Sequence, residues 1–223
     1  MKNLDFLKSN IIAHKGVHNS KIAENTIPSF IKCVDKNYII ELDIHILKDK
    51  TIVVYHDFNL KRLTNKNKII ETESYEHLSK LKIKNKYTIP TLKQVMHIVN
   101  GKVPILIELK DVDNNSTFEE ELVNLLDNYN GAFAIQSVNP FVVDWFIKNR
   151  KDYIVGIVIY NDTNYKLIKK YVDKVDFISI NKKELPTKLK TKNKLLFGWT
   201  IKTKEEYDKY IEYCDNLICE NFI

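Results

Sequence analysis

Two carboxylates one residue apart, Glu41 and Asp43, stand in the run Ile39-Ile40-Glu41-Leu42-Asp43-Ile44-His45-Ile46. The apolar neighbours predict a buried strand, in which side chains two apart share a face. Charge on such a face is costly unless it is paired or bound to a cation. Two hard oxygen ligands on a rigid strand suit Mg2+ or Ca2+. A third carboxylate, Glu108, lies in the apolar run Val103–Leu109. Three carboxylates at the ends of adjacent strands can cage one divalent cation and leave coordination positions open. Two histidines also end apolar runs: His14 follows Ile11-Ile12-Ala13, and His56 follows Ile52–Tyr55. Imidazole, with an unperturbed pKa of about 6.5, can deprotonate a nucleophile or protonate a leaving alkoxide near neutral pH. A hydrolysis that expels an alkoxide needs both. A lone E-x-D pair is more often a set of solvated or ion-paired carboxylates, and a lone histidine is more often structural. The shared setting of His14 and His56, each ending an apolar run, separates them from the second reading; the carboxylates' spacing alone does not decide the first.

The elements that must carry these groups alternate along the chain. Strand-like runs fall at Ile11–Ala13, Tyr38–Ile46, Thr51–Tyr55, Val103–Leu109, Ala132–Gln136, Tyr153–Val158, Val175–Ile180, Lys194–Trp199 and Asn216–Cys219. Helical patterns fall between them, after Thr26 as an N-cap with Pro28 in the first turn, over Leu92–Val99, and at Thr117–Asn128, Pro140–Asn149, Thr163–Val172 and Lys204–Tyr213. Asn37 ends the first helix and tolerates the left-handed conformation needed there. Residues 3–9 predict a short helix covering the barrel bottom. Thr51–Tyr55 predicts a hairpin extension of the second long strand, and Leu60–Lys86 reads as a short, polar, irregular insertion that leaves the site open. Lys182–Lys192 is a weak connection, and no helix is expected after the last strand. Some eight strands separated mostly by helices predict a compact parallel (β/α)8 TIM-type barrel, with residues 1–223 as one domain. An open doubly wound sheet would call for a Gly-rich turn after the first strand, and His14-Lys15-Gly16 has one glycine.

Several segments resemble the glycerophosphodiester phosphodiesterase family in the same order: AHKG (13–16), AENTIPSF (23–30), IELD (40–43), VVYHDFNLKRLT (53–64), IPTL (89–92) and LIELK (106–110), with QSVNP (136–140) and GWT (198–200) as weaker echoes. The resemblance implies a metal-dependent phosphodiesterase that releases sn-glycerol 3-phosphate and an alcohol. It implies His14 and His56 as the acid/base pair and Glu41, Asp43 and Glu108 as ligands of Mg2+ or Ca2+. The first attacking oxygen, water or the substrate's neighbouring glycerol hydroxyl, stays open, as do the two histidines' separate roles. Lys15, where the family usually has Arg, and Lys110 are candidate phosphate contacts. Lys offers a point charge in place of a two-pronged grip. Gln136 and Trp199 are candidates for the substrate mouth, Trp199 by stacking on a glycerol or choline-like group; barrel-top packing is their bland alternative. Glu24 braces the site in this reading. His18 lines the mouth, and His45 stands behind the carboxylates. At the last strand Cys219-Glu220 replaces the family's usual T-D pair, which leaves the contribution of Glu220 open. Rival readings are a lysophospholipase D or sphingomyelinase D-like enzyme and a phosphodiester-binding module without turnover.

Composition narrows the partners. The 223 residues are 44% hydrophobic and 29% charged, with 35 Lys+Arg against 29 Asp+Glu. That is enough for one globular core. The charge of +6 suits an anionic small molecule. The lysines are spread rather than striped with aromatics, which argues against nucleic acid. Cys33, Cys214 and Cys219 fit no zinc or redox spacing. No run reaches the roughly 18 apolar residues of a membrane span, and the polar N-terminus does not read as a signal peptide, so a cytoplasmic protein is expected.

Overall fold

The long run around Glu41 forms strand β2 (Ile39–Ile46), buried along seven of its eight residues. Near-continuous burial belongs to a strand covered on both faces, as parallel strands are. A computed structural model of the chain describes residues 2–110, 116–160, 169–187 and 194–223. Among these, β2 is joined by seven parallel strands: β1 (Ile12–Ala13), β4 (Ile105–Leu109), β5 (Phe133–Ser137), β6 (Val155–Ile159), β7 (Phe177–Asn181), β8 (Leu195–Ile201) and β9 (Asn216–Cys219). Each pairs with the next, and β1 pairs with both β2 and β9, so the sheet closes into an eight-stranded barrel. A ninth strand, β3 (Ile52–Val54), is antiparallel to β2 and extends it as a hairpin.

The barrel interior explains the site. Leu7, Ile12, Ile39, Leu106, Ala134, Ile154, Phe177, Leu195, Phe197 and Ile218 form one buried cluster. Side chains two apart share a face, so the same inward columns continue upward to His14, to Glu41 and Asp43, to Glu108 and Lys110, to Gln136, to Ser179, to Trp199 and to Glu220. The lower layers are apolar and filled, and the upper ends carry the chemistry, as barrels of this kind require. Leu7, fully buried in the short 3-10 turn Asp5–Lys8, closes the bottom. Gly156 leaves room for the Phe177 ring: a Cβ there would lie 2.1 Å from it.

The outward faces of the strands pack on helices Ile27–Lys36, Leu92–Val99, Thr117–Leu126 and Pro140–Asn149. The first starts where the Thr26 N–H donates to Ser29 Oγ at 3.2 Å, and ends at Asn37, φ 57°. Leu92–Val99 is capped by Thr91 Oγ1, which accepts from the Gln94 N–H, and ends through left-handed Asn100 (φ 47°) and Gly101 (φ 72°). A further helix, Lys204–Tyr210, follows β8. The helix expected at Thr163–Val172 and the connection at Lys182–Lys192 fall partly at 161–168 and 188–193, outside the described residues.

The insertion after β3 is more ordered than its polarity implied. Leu60, Leu63, Ile70, Leu78, Ile83 and Ile89 are buried with Ala23, Leu47, Val53 and Tyr55 in a small core of their own. Their spacing follows short turns instead of one period, which hid the pattern. No helix among the described residues is long and apolar enough to cross a membrane.

Candidate active site

Strand register sets the carboxylates. Asp43 on β2 is opposite Glu108 on β4, which is opposite Gln136 on β5. Glu41, Asp43 and Glu108 are 1%, 0% and 7% exposed, and one oxygen from each lies within 4.8 Å of the others. Lys110, itself buried, sets its ammonium 3.0 Å from Asp43 Oδ1 and against Glu108 Oε1. Burial alone would discharge Lys110, but Asp43 and Glu108 hold its pKa well above the usual value. Burial, then the charges of Asp43 and Glu108, push the Glu41 carboxyl well above its ordinary range. Burial also opposes ionisation of Asp43, yet Lys110 and then His56 and Lys15 hold its carboxyl low. Were all three carboxylates ionised, one ammonium would leave two negative charges without a partner, and the raised pKa of Glu41 reflects burial together with that excess. One divalent cation would supply that charge, and oxygen-only donors are what Mg2+ and Ca2+ take. The residues present therefore fit such an ion.

Each histidine is anchored through Nδ1. His14 Nδ1 lies 2.7 Å from Glu220 Oε2, and His56 Nδ1 lies 2.7 Å from Asp57 Oδ1. An ionised carboxylate can only accept, so each Nδ1 carries the proton and Nε2 is left for other chemistry. Burial, and then the charge of Lys15, lower the His14 pKa, opposed by the Glu220 hydrogen bond. Burial works against ionisation of Glu220, but its contacts with His14 and with Lys202 Nζ, at 2.9 Å, keep it ionised. His18 Nε2 is 3.7 Å from the same carboxylate, beyond hydrogen-bond distance.

These groups share one cavity of about 160 Å³, lined by His14, Glu41, Asp43, His56, Glu108, Lys110, Gln136 and Trp199, with Tyr160 at its edge. Of the residues singled out in the sequence, Lys15, Glu24, His45 and Glu220 are not in the lining, nor is His18, which was expected at the mouth. Lys15 turns aside. Its ammonium lies 3.4 Å from Glu24 Oε1, and its backbone N–H donates to Glu41 Oε2 at 2.9 Å. Gln136 is committed at both ends of its amide: Nε2 donates to Glu108 Oε2 at 3.0 Å, and Oε1 accepts from Ser179 Oγ at 2.7 Å. It braces a carboxylate while lining the cavity. Trp199 stands edge-on to Tyr160 at 5.1 Å, and its buried Nε1–H has no hydrogen-bond partner among the described residues. The fully buried His45 has Nδ1 3.1 Å from Glu71 Oε1 and Nε2 3.3 Å from the carbonyl of His56.

The sequence reading missed three groups. Asp57 was visible as the neighbour of His56, but its role was not. Asn25 donates to Asp43 Oδ2 at 2.9 Å from a left-handed backbone (φ 53°). Arg62 stood inside the segment VVYHDFNLKRLT (53–64), but nothing in its spacing assigned it a role.

A parallel barrel whose strand ends gather three carboxylates, two anchored imidazoles and a lysine has the architecture of a TIM-type barrel enzyme. The chain belongs to the glycerophosphoryl diester phosphodiesterase family, whose model matches residues 14–221. It is 36% identical over 136 residues to Bacillus subtilis YhdW, covering 57% of this chain and 55% of that protein. It is 27% identical over 222 residues to a glycerophosphodiester phosphodiesterase of Caldanaerobacter subterraneus, covering 92% and 91%. The fold superposes with a TM-score of 0.81, at 18% identity, on an Oleispira antarctica phosphodiesterase solved with the product sn-glycerol-3-phosphate, over 94% of this chain and 92% of that one.

Proposed function

We propose that this chain hydrolyses glycerophosphodiesters to sn-glycerol 3-phosphate and an alcohol, as one barrel domain working on a small soluble substrate in the cytoplasm. The observation that carries the reading is the pairing of two Nδ1-anchored imidazoles with a three-carboxylate cluster in one cavity. Mere binding of a phosphodiester needs no such pair. The names of the Caldanaerobacter relative and of the Oleispira structure support the same substrate class.

In this reading Glu41, Asp43 and Glu108 hold Mg2+ or Ca2+. When bound, the ion supplies positive charge to the phosphate oxygens. The chain's own residues do the rest. Lys110 adds a fixed cation beside the phosphate. One neutral imidazole takes at Nε2 the proton of the attacking oxygen, water or the neighbouring glycerol hydroxyl, as that oxygen bonds to phosphorus. The other, entering as imidazolium, gives its Nε2 proton to the alcohol oxygen as its bond to phosphorus breaks. Where the glycerol hydroxyl attacks, a water then opens the cyclic phosphate with the two rings' roles exchanged. Glu220 and Asp57 hold the Nδ1 proton of each ring and so leave Nε2 for this exchange, and Trp199 and Tyr160 wall the same cavity.

The test is release of glycerol 3-phosphate from glycerophosphocholine and glycerophosphoethanolamine with Mg2+, with Ca2+ and with EDTA. Release that EDTA stops and that His14→Ala and His56→Ala each reduce at least about 100-fold is expected. Release from neither substrate under either ion would overturn the reading, and lysolipids would then be assayed.

A further inference from the structure

Arg62 lies outside the cavity, at the start of the insertion, with its side chain 46% exposed. Its guanidinium nevertheless reaches toward both halves of the site. Nε lies 2.6 Å from Asp57 Oδ2 and Nη2 3.0 Å from Asp57 Oδ1. Nη1 lies 2.9 Å from Glu24 Oε2 and Nη2 2.7 Å from Glu24 Oε1. One planar fork thus holds two carboxylates, each by both oxygens, a geometry open to Arg and closed to Lys. Each carboxylate has a second duty. Asp57 Oδ1 accepts from Nδ1 of His56 at 2.7 Å. Glu24 Oε1 faces the Lys15 ammonium at 3.4 Å, and the Lys15 N–H holds Glu41.

We infer that Arg62 is a positioning residue for His56: braced on the Glu24 carboxylate, it fixes Asp57 behind the ring. The inference rests on the phosphodiesterase reading above. Glu24, with its pKa lowered to about 2 against burial by Arg62 and then Lys15, is an anion at working pH. Without the guanidinium, Asp57 is no longer tied to Glu24. It loses the two contacts that fix its plane, and His56 loses a defined ring orientation. The substitution then lowers kcat through His56 and leaves KM near its native value, since neither Arg62 nor Lys15 is in the cavity lining.

Steady-state kinetics on glycerophosphocholine test it. Arg62→Ala is expected to lower kcat about 10- to 100-fold, the worth of one charge-assisted hydrogen bond, with KM within about twofold of native. Arg62→Lys, which keeps the charge, is expected to fall between and serves where Arg62→Ala folds poorly by its melting curve. Adding Asp57→Asn is expected to lower kcat no further, since two changes on one path do not add. A merely structural arginine does not predict this pattern. Wild-type kcat in folded Arg62→Ala, a loss carried by KM in place of kcat, or multiplying losses with Asp57→Asn would overturn the inference. Nitrogen-15 spectra of the His56 ring, recorded without substrate, test the Asp57 contact even if the unmodified protein releases no product. A hydrogen-bonded Nδ1–H signal is expected in the unmodified protein and its loss in the Arg62 variants; an unchanged signal would overturn the inference.

Discussion

Glu220→Gln changes one charge at the end of β9 and keeps the side chain's length. In the native protein the Glu220 carboxylate is 2.7 Å from Nδ1 of His14 and is held ionised. A hydrogen bond to a charged group contributes about 1.5–3 kcal/mol. At about 1.4 kcal/mol per decade, losing the charge is expected to lower kcat about 10- to 150-fold. KM should stay near its native value, because Glu220 is not in the cavity lining. Glu220→Asp is the sharper variant. It restores the charge but withdraws it by about one C–C bond, roughly 1.5 Å, opening the contact to about 4 Å and beyond hydrogen-bond reach. It too is expected to lose at least about tenfold in kcat, so the carboxylate's reach, and not its charge alone, is tested. The assay is glycerol 3-phosphate release under saturating substrate, with melting curves to establish that each variant is folded. If both variants keep kcat within about twofold of the native protein, Glu220 does not orient His14 for catalysis, and the argument from the 2.7 Å contact fails.

Three further outcomes follow from the same geometry. Saturating Mg2+ or Ca2+, at about 100 times its Kd, adds about 2.7 kcal/mol to the folded state, or roughly 5–10 °C in Tm for a domain of this size; Glu41→Gln should remove most of that rise, and a native Tm unmoved by either ion would refute the carboxylate site. Gly156→Ala drives a methyl into the Phe177 ring in a filled barrel interior and is expected to destabilise by about 1–3 kcal/mol, read from the urea midpoint; an unchanged midpoint would show that the ring can move aside. Glu24 has a folded pKa of about 2 against an ordinary 4.5, so its contribution to stability is present above pH 4.5 and is lost as pH falls toward 2; the stability of Glu24→Gln should fall less steeply across that window, and parallel curves would refute it.

Local periodicity made much of this protein legible. Alternation along Ile39–Ile46 put Glu41 and Asp43 on one face, apolar runs marked the strands that carry His14, His56 and Glu108, and Asn37 marked a helix end. Those features need only a residue's near neighbours. The alternation of strand and helix patterns gave the barrel, and the order of the motifs added the family. Other parts had no local signature. Glu220 meets His14 across 206 residues, and it does so because the barrel closes β9 onto β1. Register across β2, β4 and β5 puts Asp43, Glu108 and Gln136 in one row and commits the Gln136 amide to bracing. Lys15 was singled out for phosphate, but its side chain lies against Glu24. Arg62 joins two carboxylates 33 residues apart in the chain. The alternation of a strand fixes which way a side chain faces; what it meets there is set by strands and loops brought together only when the ring of eight closes, and hydrogen-bond partners chosen at that distance leave no period in the sequence to read.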